Sequence, residues 1–101
     1  MKIIKDLVAK IEDELEDAED YAKLAFSWHA EYPEVSEVFL TISRQETSHA
    51  NMLHNQAERM IKDYMSAGGK VPDSMRGVWE WEHEKMIDTM ARVKALQDSV
   101  R

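Results

Sequence analysis

Apolar residues recur every three or four positions along three long stretches of the chain. They are Ile4, Leu7, Ile11, Leu15, Ala18, Ala22 and Ala25 in the first stretch, Val35, Val38, Phe39, Ile42, Leu53, Ala57, Met60 and Tyr64 in the second, and Trp79, Met86, Met90, Val93 and Val100 in the third. This spacing places each set on one face of an amphipathic helix. The pattern therefore predicts an all-α protein whose three long helices pack side by side through these faces.

Two short segments interrupt the pattern and set the expected helix ends. Pro33 suits the first turn of a helix, because the amide hydrogen that proline lacks has no partner there. Gly68 or Gly69 suits the left-handed position that follows a helix C-terminus. We expect helices at about 3–30, 34–67 and 74–100, within a single domain spanning 1–101.

Composition narrows the classes of function. Thirteen Lys and Arg stand against 20 Asp and Glu, a net charge of −7, which disfavours nucleic acid and anionic membrane surfaces as partners. The chain has no cysteine, so a disulfide scaffold, a thiolate zinc site and a Cys-ligated iron centre are excluded. No apolar run approaches the length of a membrane span, and Met1–Lys10 lacks the features of a signal peptide. We expect a cytoplasmic location.

Three ionisable residues occupy positions inside the apolar rows. Glu14 lies between Ile11 and Ala18, and Glu46 and His49 lie together in the row of the second helix. A buried carboxylate costs several kcal/mol unless it is protonated, paired or bound to a metal. Glu-x-x-His places oxygen and nitrogen donors one turn apart, and a Glu from a facing helix completes a set that suits iron, manganese or zinc. The alternative is a pairing of Glu with His that involves no metal.

The chain resembles the ferritin-like di-iron carboxylate proteins at these positions. Glu14 is followed seven residues later by Tyr21, and then Glu46-Thr47-Ser48-His49-Ala50 gives E-x-x-H-A on the next helix. Order and spacing are similar to a ferritin or rubrerythrin half-site, and most similar to encapsulated ferritins, in which each subunit supplies half of the site. The resemblance implies an antiparallel hairpin of long helices with a third, C-terminal helix, and a four-helix bundle completed by dimerisation.

The resemblance also implies roles for individual residues. Glu14, Glu46 and His49 would be metal ligands, with Glu46 as the bridging carboxylate. Tyr21 would hydrogen-bond a ligand carboxylate, although a tyrosine at a helix contact is often only a packing residue. Asp13 and Glu16 would guide metal to the site. They belong to an acidic run at 12–20, and the alternative is that this run is only a solvated face.

The function implied is oxidation of Fe(II) to Fe(III) by O2 or peroxide, for iron storage or detoxification, at a centre of two iron ions per dimer interface. A homodimer or larger ring, and a place inside an encapsulin-type shell, would follow from the closest resemblance. Three helices instead of the five of ferritins give no reason to expect a self-built shell, and residues 94–101 show no apolar targeting tail. Two alternatives stay open: a non-enzymatic helical interaction module, and a di-metal protein that uses Mn or Zn without redox chemistry.

The remaining histidines are expected to have structural roles. Glu80 and His83 form a second E-x-x-H, but a second half-site within one chain also requires an inward Glu from a fourth helix. His83 is therefore expected at a core or subunit contact. His29 and His54 lie beside the main apolar rows and are not expected to bind metal.

Overall fold

A computed structural model describes residues 2–100, except for the side chain of Ser74, and contains the three predicted helices. They are α1 (Lys2–Trp28), α2 (Pro33–Ser66) and α3 (Asp73–Asp98), and the described residues form no strand. Each helix end lies within two residues of the expected one. The all-α class expected from the sequence is confirmed.

The breaks between helices form where local chemistry requires them. Pro33 occupies the first turn of α2, where no amide hydrogen is needed. At the other end of α2, the Ala67 amide donates to the Asp63 carbonyl at 3.1 Å, and Gly68 follows with φ of +85°. Residues with a Cβ atom rarely adopt that left-handed conformation, so glycine is suited to this position.

The contact between α1 and α2 is built from small side chains. Most of the buried residues of the two helices are alanine, serine or threonine; the full set is Ile4, Ile11, Leu15, Ala18, Ala22 and Ala25 on α1, and Ser36, Leu40, Ser43, Thr47, Ala50, His54 and Ala57 on α2. The serine hydroxyls bond across the contact: Ser36 Oγ donates to the Ala25 carbonyl at 2.5 Å, and Ser43 Oγ donates to the Ala18 carbonyl at 2.6 Å. The two helices therefore approach closely and form an antiparallel hairpin.

The predicted core face of α2 is partly wrong. Val35, Val38 and Tyr64 were expected in the core, yet they are 47%, 58% and 41% exposed. The face buried against α1 is the row of small residues, because serine hydroxyls that bond to carbonyls can be buried at little cost. The row that contains Glu46 and His49 lies roughly a quarter turn away, at the edge of the α1–α2 contact.

Helix α3 covers one side of this hairpin. Met86 and Met90 pack on the cluster formed by Ile11, Leu15 and Ala50. Two polar contacts add to this packing: Arg92 donates to Glu19 at 2.8 Å, and Gln97 Nε2 donates to Ser43 Oγ at 2.9 Å. The Glu14 side of α1 is not the side that these contacts cover, so one groove of the hairpin stays open.

The described residues form an elongated body of 56 × 17 × 17 Å. Its long axis follows the 34-residue helix α2, whose length at about 1.5 Å per residue is close to 50 Å. None of the described helices has an apolar stretch sufficient to cross a lipid bilayer.

Candidate metal centre

The structure brings Glu14, Glu46 and His49 together at the open groove. Glu14 comes from α1, while Glu46 and His49 project from adjacent turns of α2. His49 Nδ1 lies 3.4 Å from Glu14 Oε2, and one donor atom from each residue falls within 4.8 Å of the other two. We call these three residues the Glu–Glu–His group.

The two carboxyl groups of this group are close enough to share a proton. A hydrogen bond with Glu14 is the main cause that raises the pKa of Glu46 to about 7. Partial burial and the charges of Glu14 and Asp17 add to the rise, while His49 opposes it. A site that holds a proton between two carboxylates at neutral pH is a favourable place for a cation.

The site lies at the surface of the chain. The His49 side chain is 53% exposed and that of Glu14 is 25% exposed, so the expectation that His49 points into the core is wrong for a single chain. Three donors from one chain also fill only part of the coordination shell of an iron, manganese or zinc ion. Two carboxylates and one imidazole nevertheless have the donor chemistry that these ions take, so the group fits such a metal.

The shared proton predicts how stability of the metal-free protein depends on pH. An ordinary Glu has a pKa near 4.3, and that of folded Glu46 is about 7, so its contribution is fully present below the lower value and is lost as the pH rises through the higher one. We expect the contribution of Glu46 to lower the free energy of unfolding by about 1 kcal/mol between about pH 5 and pH 8, after allowance for solvent screening. Denaturation in the presence of a chelator measures this fall.

Glu46→Gln is expected to remove this part of the pH dependence, because the amide keeps a hydrogen bond with Glu14 without adding a charge. Glu82→Gln is the matched control, since a hydrogen bond with Glu12 raises the pKa of Glu82 to about 7 as well, on the other side of α1. Each single variant should remove the part of the pH dependence that its own residue causes, and the double variant should remove both parts. An unchanged pH dependence in Glu46→Gln would contradict the proton-sharing arrangement.

The other residues implied by the resemblance have different surroundings. The Tyr21 ring packs against Phe39, with centroids 6.1 Å apart, and among the described residues of one chain its hydroxyl has no hydrogen bond with a ligand carboxylate. Its proposed role stays a prediction. Asp13 is exposed. Glu16 lines the cleft between α1 and α3, about 200° around the helix from Glu14, so the structure does not bring it to the Glu–Glu–His group.

A second group of metal-binding side chains lies between α2 and α3, where the sequence predicted only structural histidines. It consists of His54, Glu58 and His83, whose donor atoms also lie within 4.8 Å of one another. Glu80, the partner of His83 in the E-x-x-H motif, is exposed and does not take part. The sequence signal that could have indicated the group is His54 followed by Glu58 at i+4 on one face of α2.

Comparison with known proteins shows which family the chain belongs to. A sequence model described as rubrerythrin matches residues 5–98. Neither a curated protein nor a solved structure matches the chain. The matched stretch covers α2, α3, all but the first three residues of α1, and both groups of metal-binding side chains. The three-helix fold is consistent with this match, and so are the two groups of carboxylate and histidine side chains. The chain belongs to the rubrerythrin family of the ferritin-like superfamily.

Proposed function

We propose that the protein is a ferroxidase whose centre forms between two copies of the chain. Fe(II) is its substrate and O2 or peroxide its oxidant. The observation that carries the proposal is the Glu–Glu–His group, three convergent donors from two helices in a groove that α3 leaves open. The oxidised iron would serve storage or detoxification.

The need for a second copy follows from the donor count. One chain offers two carboxylates and one imidazole at this place, and the second E-x-x-H of the chain lies elsewhere, with His83 against His54. A two-fold dimer would bring a second Glu–Glu–His group to the first and give four carboxylates and two imidazoles, the donor set of di-iron bundles. The same dimer would cover apolar residues such as Val35 and Val38, which are about half exposed in the single chain.

Each residue of the Glu–Glu–His group would have its own role in iron oxidation. Glu46, whose pKa is raised to about 7, would be fully deprotonated when Fe(II) binds and would bridge two ions as a carboxylate. Glu14 and His49 would each bind one ion and fix its position. Two Fe(II) ions give up two electrons; O2 accepts them with two protons to form hydrogen peroxide, or peroxide accepts them with two protons to form water.

Anaerobic titration with Fe(II) tests the proposal. We expect native mass spectrometry to show a shift from monomer to a dimer or larger symmetric assembly that holds two iron ions per interface. Admission of air should then produce ferric absorbance. Protein that binds Zn(II) or Mn(II) in the same ratio but does not oxidise iron would favour a non-redox di-metal protein instead.

A different outcome would show that the Glu–Glu–His group is not a metal site. If the protein binds no divalent metal and its mass does not change on titration, the paired Glu and His side chains only fix the packing of the helices. The chain would then act as a helical interaction module, and the ferroxidase proposal would be wrong.

A further inference from the structure

The cluster of His54, Glu58 and His83, hereafter the histidine cluster, lies outside the proposed ferroxidase centre. His54 Nε2 is 2.7 Å from His83 Nδ1 and 3.6 Å from Glu58 Oε1. His54 is 8% exposed, in the buried row of α2. Two imidazoles and one carboxylate therefore converge at a partly enclosed point where α3 meets α2.

We propose that the histidine cluster is a separate binding site for a single divalent transition-metal ion of the zinc type, held by His54, Glu58 and His83. Two histidines and one glutamate form a known three-ligand set for zinc, with the fourth position left to water. The site requires no second copy of the chain, unlike the ferroxidase centre.

The distances require only a small adjustment to accept a metal. Donor atoms at about 2.0–2.1 Å from a tetrahedral ion lie about 3.3 Å from one another. The 2.7 Å separation of the two imidazole nitrogens would widen by roughly half an ångström, and the 3.6 Å separation of His54 and Glu58 would close slightly. Metal would replace the proton that one imidazole now donates to the other.

Neighbouring side chains hold His54 in the required orientation. The Trp79 ring stacks on it, with centroids 5.6 Å apart and planes at 16°, and the His83 ring stacks at 4.8 Å. Such contacts fix ring orientation at metal sites and raise affinity, because less freedom is lost when the metal binds.

The surroundings of the histidine cluster also favour a cation. His54 and His83 line a cleft of about 240 Å³ between α1 and α3, which leaves room for a water ligand. Four carboxylates face the same cleft, from Glu12, Glu16, Glu19 and Glu82. The two cations that line it, Lys85 and Arg92, are already paired with Glu12 at 3.6 Å and with Glu19 at 2.8 Å. Acidic groups thus outnumber basic groups in the cleft, which favours a divalent cation over an anion.

A bound metal would fasten α3 to the hairpin. His83 is on α3, whereas His54 and Glu58 are on α2, so the ion would cross-link the two helices that the 67–72 loop joins. Since the ion binds only the folded chain, occupancy should raise thermal stability.

The test uses a full-length variant in which Glu14, Glu46 and His49 are all replaced by alanine, so that the ferroxidase centre cannot bind metal. All three positions are at least partly exposed, and their loss should leave the fold intact. Titration with Co(II) is expected to give one ion per chain, with visible bands of low-symmetry nitrogen and oxygen coordination that disappear when Zn(II) is added. At metal a hundredfold above the Kd, Tm should rise by roughly 10 °C or more.

Further variants in the same background decide the assignment. His83→Ala and Glu58→Gln should each raise the Kd more than about tenfold and, at the same metal concentration, reduce the rise in Tm to about half or less. Glu80→Ala, which changes an exposed neighbour of His83, should leave both unchanged. Absence of Co(II) binding in the starting variant, or binding that survives both replacements, would overturn the proposal. Neither result depends on iron oxidation, which is measured in the parent protein, so the two proposals can fail independently.

Discussion

His49→Ala and Glu46→Ala are each expected to slow Fe(II) oxidation more than about a hundredfold under conditions where the parent protein turns over. Loss of a hydrogen-bond partner that only orients a ligand already costs roughly ten- to hundredfold at metal sites, and loss of a ligand should cost more. In a dimeric centre each replacement removes two donors, one from each copy. Stopped-flow measurement of ferric absorbance at fixed Fe(II) gives the rates.

Matched controls separate loss of ligands from general damage. His29→Ala and Glu37→Ala make the same chemical changes on the same hairpin, away from the Glu–Glu–His group, and should oxidise iron at the parent rate. The site variants should keep the helix content of the parent, because His49 is largely exposed and Glu46 is only partly buried. Oxidation at the parent rate by either site variant would show that the proposed centre is wrong.

The helices and the Glu–Glu–His group could be predicted because both depend on local sequence. Pro33 begins α2 and Gly68 ends it through their own backbone chemistry, whatever the rest of the fold does. Glu46 and His49 share a face because they are three residues apart on one helix. Only the position of Glu14 opposite them depends on tertiary structure, and a tight hairpin between two long helices fixes that alignment closely.

The buried face of α2 could not be identified from hydrophobicity, because this helix has two faces suited to contact. One is apolar and includes Val35, Ile42 and Leu53; the other is small and hydroxyl-bearing and includes Ser36 and Ser43. Hydrophobicity ranks the first face higher, but α1 presents alanines and free carbonyl oxygen lone pairs, which suit the second. The apolar face of α2 therefore lies at the groove that contains the Glu–Glu–His group.

The sequence places His54 and Glu58 on one face of α2, but the third member of the histidine cluster, His83, could not be predicted, for a different reason. His83 meets His54 only because the loop at 67–72 returns the chain at a particular height along α2, and then α3 packs with Trp79 against the His54 ring. Helical spacing gives the direction of a side chain around its own axis but not the height at which two helices are aligned. Glu80, the partner that spacing alone offers to His83, is exposed instead.

Ala18→Leu is expected to have the largest effect on stability. Ala18 is fully buried where α1 and α2 approach, and its carbonyl oxygen accepts the hydroxyl of Ser43 at 2.6 Å. Ser43 in turn accepts from Gln97 of α3, so all three helices meet at this point. A leucine side chain has no space there without separation of the helices, and we expect a loss of about 3 kcal/mol. Tm should fall by more than about 10 °C.

The same variant should also impair the metal site in the molecules that remain folded. Glu14 lies one helical turn from Ala18, and an outward shift of α1 would carry Glu14 Oε2 away from His49 Nδ1, now 3.4 Å apart. Misplacement by about 1 Å can reduce a rate a hundredfold, so iron oxidation well below Tm should be slower than in the parent. Ala91→Leu, the same change at an exposed position of α3, should alter neither property. If Ala18→Leu unfolds earlier yet oxidises iron at the parent rate, close packing stabilises the hairpin without setting the ligand positions, and the Glu–Glu–His group must be held by another contact.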